Sequence, residues 1–140
     1  MRTDHIISLI GKIRTRANKI IIREFRDRNI EGLSPSHGDI LVVLFGKGSA
    51  SMTELAEKID RDKSTITALV KKLIAHGYVT TAPDTNDSRV TVVSLTEKGW
   101  QVKPDFEAIS KILLDRTYGD SSTREKEVIV RGLETILRNM

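Results

Sequence analysis

The stretch Asp62–His76 reads DKSTITALVKKLIAH, and a helix drawn through it gathers Ser64, Thr67, Ala68, Lys71 and Lys72 on one side. Short hydroxylated side chains at the start of such a face let a backbone approach closely and can bond either donors or acceptors on base edges. The two lysines further along suit phosphates and salt-sensitive attraction. A second cluster lies downstream, in DTNDSRVTVVSLTEKG from Asp84 to Gly99. Arg89 there suits the negative potential of a narrow minor groove. Asp87, two residues earlier, can accept a charge-assisted bond and fix its direction.

Each cluster alone has a plainer reading, the first as an amphipathic surface helix and the second as a solvated hairpin tip. What positions them decides between the readings. Ile66, Leu69, Val70, Leu73 and Ile74 recur at helical spacing and make the inward stripe of the first segment. Ahead of it, Ser51-Met52-Thr53-Glu54 is a capping box that opens a short helix, with Met52, Leu55, Ala56 and Ile59 as its expected buried stripe. A turn around Asp60–Asp62, with either aspartate able to cap, joins the two into a helix-turn-helix. Asp84-Thr85-Asn86-Asp87 is turn chemistry, and Val90 to Leu95 is β-branched and reads as a strand. A hairpin placed directly after such a helix makes a wing, and that favours contact with DNA.

The remaining elements are helical. Apolar residues at Ile6, Leu9, Ile10, Ile13, Ala17, Ile20, Ile21 and Phe25 mark a long amphipathic helix from about residue 3 to 28. "GLSP" stops and restarts the chain, with Ser34 as cap and Pro35 in the first helical position. The helix that follows, through Ile40, Leu41, Val42, Val43, Leu44 and Phe45, is apolar nearly all round and belongs in a core. Thr96 caps a helix in which Pro104 is an expected kink, and Ser122-Thr123-Arg124-Glu125 opens the last one. The expected order is a long helix, three short helices, one hairpin and two more helices.

Composition narrows the chemistry. The chain has 140 residues, most simply one domain. Its 23 basic against 19 acidic side chains give +4, a mild excess that only weakly favours anionic partners. With no cysteine there is no disulfide, thiolate metal site or thiol switch. His5, His37 and His76 lie on different elements, no nucleophile elbow or phosphate loop is present, and Gly46-Lys47-Gly48 is only a loop. No catalytic residue, metal site or cofactor is expected. "HIISLI" is bracketed by Asp4 and Lys12, so neither a signal peptide nor a spanning segment is expected, and a cytoplasmic protein without membrane contact is the default.

The wing segment DSRVTVVSLTEKG fits the Asp-x-Arg…Leu-Thr-x-x-Gly signature of the MarR family of transcription regulators, and ELAEKIDRDKSTITALVKKLIAHGYV is similar to that family's helix-turn-helix. The resemblance runs from about Leu33 to Gly99, and the flanking helices match in order and length. It implies a mainly α fold with a small β-hairpin wing (α+β), divided into a winged helix-turn-helix lobe and a helical dimerisation lobe. Within a single 1–140 domain, residues 34–99 would bind DNA, and residues 1–30 and 100–140 would supply dimerisation helices. The implied function is a ligand-responsive repressor that binds pseudo-palindromic operator DNA as a homodimer. A winged-helix module for protein interaction is the alternative.

The DNA-contacting set expected on this reading is Thr53, Arg61, Lys63, Ser64, Thr65, Thr67, Ala68, Lys71, Lys72, Asp87 and Arg89. Two positions depart from the family pattern: Ala68 stands where many members carry a basic or polar residue, and Thr81 where Arg is common. A small-molecule effector would bind between the two lobes, where Arg16 and His37 could meet an anion or serve as polar rim residues.

Overall fold

The computed structural model describes residues 1–140. The elements in order are α1 (Ile6–Asp27), α2 (Pro35–Lys47), β1 (Ser49–Ser51), α3 (Met52–Ile59), α4 (Lys63–Ala75), β2 (Val79–Pro83), β3 (Thr91–Leu95), α5 (Glu97–Gln101), α6 (Lys103–Tyr118) and α7 (Thr123–Asn139). The chain divides into two compact units, residues 1–109 and 110–140, with the boundary inside α6.

The first unit is built around α2. Ile40, Leu41 and Leu44 of α2 have no solvent exposure, and neither do Leu55 of α3, Ile66 and Leu73 of α4, or Val93 of β3. Each such burial stabilises the fold by roughly 1.5–3 kcal/mol, so this cluster is what fixes α3 and α4 against the sheet. An aromatic group extends it: Phe106 lies 5.4 Å from Phe25 and 5.5 Å from Phe45, ring centre to ring centre. The near-continuous apolar run of α2 predicts burial all round, but Val42 is 57% exposed. Burial of the stripe Ile40, Leu41 and Leu44 leaves Val42 on the opposite side of the helix, with no element over it.

The sheet has three strands, in the order β1-β3-β2, all antiparallel. The hairpin of the sequence reading is β2–β3; β1 was not foreseen. Three small residues carry no alternation that a pattern can register, and Ser51 reads only as the helix cap; the loop expected at Gly46-Lys47-Gly48 is instead the end of α2 and its left-handed Gly48 cap. Strand β1 exists through pairing of Ser49 with Ser94, Ala50 with Val93 and Ser51 with Val92.

Local stop and start signals are obeyed, with one choice settled. Asp60 ends α3 in the left-handed conformation (φ 58°), and Asp62 caps α4. The expected kink at Pro104 is a break: α5 ends at Gln101, and Pro104 occupies the first turn of α6, where its missing amide hydrogen is harmless. Met52 is half-buried rather than buried, since it is the first residue of α3 and Leu55, one turn on, takes the core position. No helix is long and apolar enough to cross a membrane.

In the second unit α7 opens with a reciprocal box. The Glu125 amide donates to Ser122 Oγ at 3.2 Å, and the Ser122 amide donates to Glu125 Oε1 at 3.0 Å. None of its residues is buried, and Val128, Ile129, Val130, Leu133 and Leu137 are exposed. On α1, in the first unit, Ile6, Ile7, Leu9, Ile13 and Ile22 are likewise exposed.

Candidate nucleic-acid interface

The face of α4 is set by its buried stripe. Ile66, Val70 and Leu73 are at most 1% exposed, which turns Ser64, Thr67, Ala68, Lys71 and Lys72 to solvent. The helix starts at Asp62, whose Oδ1 accepts from the Thr65 amide at 2.7 Å and from Ser64 Oγ at 2.8 Å. The bonds from Thr65 foremost, then from Ser64, hold the Asp62 carboxyl below the usual carboxylate range. Thr67 Oγ1 donates to the Lys63 carbonyl at 2.8 Å. A hydroxyl has one proton, so Ser64 and Thr67 present lone pairs outward, and Thr67 also presents its methyl. Lys63, Lys71 and Lys72 are exposed, as are Thr53 in the first turn of α3 and Arg61 in the connecting turn; Thr65 is partly covered.

The wing is organised from its turn. Pro83 pairs with Thr91 at the end of the β2–β3 ladder, and the Asp84 amide donates to the Val90 carbonyl at 2.8 Å. Asp84 Oδ2 accepts from the amides of Asn86 at 3.0 Å and Asp87 at 3.1 Å, which fixes the loop. Arg89 then meets Asp87 in a two-pronged pair, Nε to Oδ1 at 3.0 Å and Nη2 to Oδ2 at 3.1 Å. The Arg89 bonds hold the Asp87 carboxyl low, and the same pair raises the guanidinium further. With its side chain 89% exposed, Arg89 keeps its Nη1 edge free for an outside acceptor. The expected orientation of Arg89 by Asp87 is therefore present.

The Leu-Thr-x-x-Gly foot ties this wing to the end of α4, a function that pattern reading did not supply. Leu95 is buried. Thr96 Oγ1 donates to the Gly77 carbonyl at 2.5 Å and accepts from the Gly99 amide at 3.2 Å. Lys98 Nζ donates to the His76 carbonyl at 2.5 Å and lies 4.4 Å from the centre of the Tyr78 ring. A Cβ at position 99 would collide with the Tyr78 carbonyl oxygen, so the last motif residue must be Gly. Helix and wing are thus one rigid piece over Lys63–Gly99.

The two residues expected at an effector cleft are not brought together. Arg16 is exposed and lines a shallow groove of about 410 Å³ with Ser8, Gly11, Lys12, Thr15 and Lys19, without His37. His37 is only 6% exposed, so it is not a rim residue. Its Nδ1 accepts from the Ser34 amide at 2.9 Å and completes the start of α2, which fixes its proton on Nε2. Burial, followed by the positive fields of Lys72 and His76, pushes its pKa below the ordinary value. The His76 ring packs on Gly32, where a Cβ would come within 2.6 Å of it.

Asp39 was missed by sequence reasoning. It is partly buried on α2, 3.6 Å from Arg14 of α1; burial raises its pKa, while Arg14 and Arg61 oppose the rise. No pattern marks it, because its partners come from α1 and from the turn ahead of α4.

Known proteins are similar to this chain in sequence or in fold. The chain is 30% identical over 101 residues to the transcriptional repressor IacR of Pseudomonas putida, a match that covers 72% of this chain and 60% of that one. Its fold is similar to that of a mutant MarR from E. coli complexed with operator DNA, with a TM-score of 0.82, 16% identity and coverage of 98% and 99% of the two chains. BpsR of Bordetella bronchiseptica, whose DNA binding is regulated by 6-hydroxynicotinic acid, gives a TM-score of 0.82 at 19% identity, covering 97% and 95%. The MarR family model matches residues 33–91, the span from the start of α2 to the wing. That span holds the helix-turn-helix and wing described above, and over it the chain is similar to the regulators of the MarR family.

Proposed function

We propose that the protein is a sequence-specific DNA-binding transcriptional regulator, a ligand-responsive repressor that acts as a homodimer on pseudo-palindromic operators. One observation carries the reading: the solvent face of α4 and the exposed, oriented Arg89 belong to one rigid piece, locked through Thr96, Lys98 and Gly99. In that arrangement α4 enters the major groove, where Ser64 and Thr67 meet base edges while Lys71 and Lys72 meet phosphates. Thr53, Arg61, Lys63, Thr65 and Ala68 complete that contact surface, and Arg89 enters the adjoining minor groove with Asp87 behind it. The name of the IacR relative supports repression, and the effector-regulated DNA binding of BpsR supports a ligand, for which Arg16 is the candidate contact on this chain.

The exposed apolar residues of α1 and of α7 support association with a second copy. A two-fold dimer reads two half-sites about one helical turn apart. Footprinting of the purified protein on its own upstream region, with and without candidate metabolites, tests the proposal. Paired protected segments that disappear with a metabolite are the expected result. Failure to hold any duplex at low salt would reject it in favour of a protein-interaction module.

A further inference from the structure

The polarity of the hydrogen bonds at the start of α4 limits which base edges that helix can read. Ser64 Oγ donates to Asp62 Oδ1 and Thr67 Oγ1 donates to the Lys63 carbonyl, both at 2.8 Å. Neither acceptor carries a proton, so in each bond the hydroxyl is the donor, and its only proton is committed. What these two residues offer outward is acceptor lone pairs. Asp62 Oδ1 accepts from the Thr65 amide and from Ser64 Oγ, while Oδ2, with the Thr65 hydroxyl beside the carboxylate, keeps a lone pair for an outside donor. Asp62 is fully exposed and flanked by the cations Arg61 and Lys63. A free carboxylate on a surface that meets a polyanion weakens binding by like-charge repulsion unless it finds a donor. In the major groove the only base donors are the exocyclic amino groups, N4 of cytosine and N6 of adenine; guanine and thymine offer acceptors there.

We propose that Asp62 is a specificity-determining residue, whose Oδ2 accepts from a cytosine or adenine amino group, with Ser64 and Thr67 confined to the same polarity. This rests on the DNA-binding reading above. It assigns Asp62 a task beyond capping α4, and leaves guanine contacts on this face to Arg61 and Lys63. Methyl groups of Thr67 and Ala68 then favour thymine beside the amino-bearing base.

The cap and the reading role can be separated, because Ser and Asn cap helices about as well as Asp. Duplexes selected from a randomised pool by the wild-type protein define the operator. Binding of wild type, Asp62→Ser and Asp62→Asn is then measured on that operator, on operators changed at single positions, and on random duplex, with thermal melting as a check on folding. The wild type should prefer cytosine or adenine over guanine by about fivefold or more at one position. Asp62→Ser should flatten that position and bind random duplex more tightly, since a negative charge has left the surface. Asp62→Asn, which can also donate, should admit guanine there. If Asp62 only caps, both variants keep the base preferences of the wild type at every position, whatever the change in overall affinity, and that result overturns the proposal. If the wild type selects no duplex at all, it is the DNA-binding reading that has failed.

Discussion

Gly99 sits directly beneath the carbonyl of Tyr78, so close that a Cβ at that position would overlap the oxygen. The oxygen is backbone, and it also accepts from the Thr96 amide at 3.1 Å, so it cannot swing aside. Gly99→Ala should therefore destabilise the protein by about 1–3 kcal/mol, the usual penalty of overpacking. A fall in the melting temperature of several degrees by calorimetry is the expected reading. An unchanged melting temperature would mean that the wing foot tolerates a side chain, and the rigid coupling of helix to wing would be wrong.

Lys71 and Lys72 extend from α4 with no intramolecular partner among the hydrogen bonds of that helix. Lys71→Ala should weaken operator and random duplex alike and lower the slope of log affinity against log salt by about one. Thr67→Val should behave differently. It keeps the methyl group and removes the outward lone pairs, so the gap between operator and random duplex should narrow at an unchanged salt slope. Equal salt slopes in wild type and Lys71→Ala would remove that lysine from the phosphates.

How much of this was legible in the sequence depends on the range of the signal. The capping boxes at Ser51 and Ser122 and the Asp87–Arg89 pair involve residues at most a few positions apart, and each is found as read; of the expected α4 stripe Ile66, Val70 and Leu73 are buried, Leu69 is half-buried, and Ile74 is exposed. β1 escaped because its partner β3 lies more than 40 residues on and its own three residues are too few to show a period. His37 was misplaced as a rim residue because its burial comes from packing, while its bond to Ser34 requires the nitrogen of a side chain to replace the Glu or Gln of an ordinary capping box. The roles of Thr96, Lys98 and Asp39 rest on partners 19 residues or more away, as in the Lys98 bond to His76, and motif spacing does not encode those.

His37 gives the protein a pH-dependent stability. Its folded pKa lies below 6.5, by burial first and then by Lys72 and His76. A histidine that is harder to protonate when folded contributes fully above the unfolded value and loses that contribution as pH falls from about 6.5 towards the folded pKa. Protonation also places a proton on Nδ1, which can then no longer accept from the Ser34 amide. Thermal melting should fall between pH 7.5 and pH 5, and His37→Asn should show a shallower fall in the upper part of that range. Parallel curves for the two proteins would assign the pH dependence to other groups.

The wing provides the strictest test of the interface. Arg89 is held by Asp87 through Nε and Nη2 and remains 89% exposed, so the pair contributes little to folding and leaves one guanidinium edge for DNA. Arg89→Ala should weaken operator binding at least tenfold at physiological salt, with an unchanged melting temperature. Asp87→Ala should cost less, because the arginine keeps its charge and loses only its direction. It also loses the bond from the Arg89 amide to Asp87 Oδ1, 3.1 Å long, so the loop should become more mobile. The two changes should couple: with Arg89 gone, removal of Asp87 should add little, and the double variant should bind about as poorly as Arg89→Ala alone. A double variant whose loss equals the sum of the two single losses would make Asp87 an independent contact. An Arg89→Ala protein of normal stability and undiminished operator affinity would reduce the hairpin to scaffold and leave recognition to α4 alone.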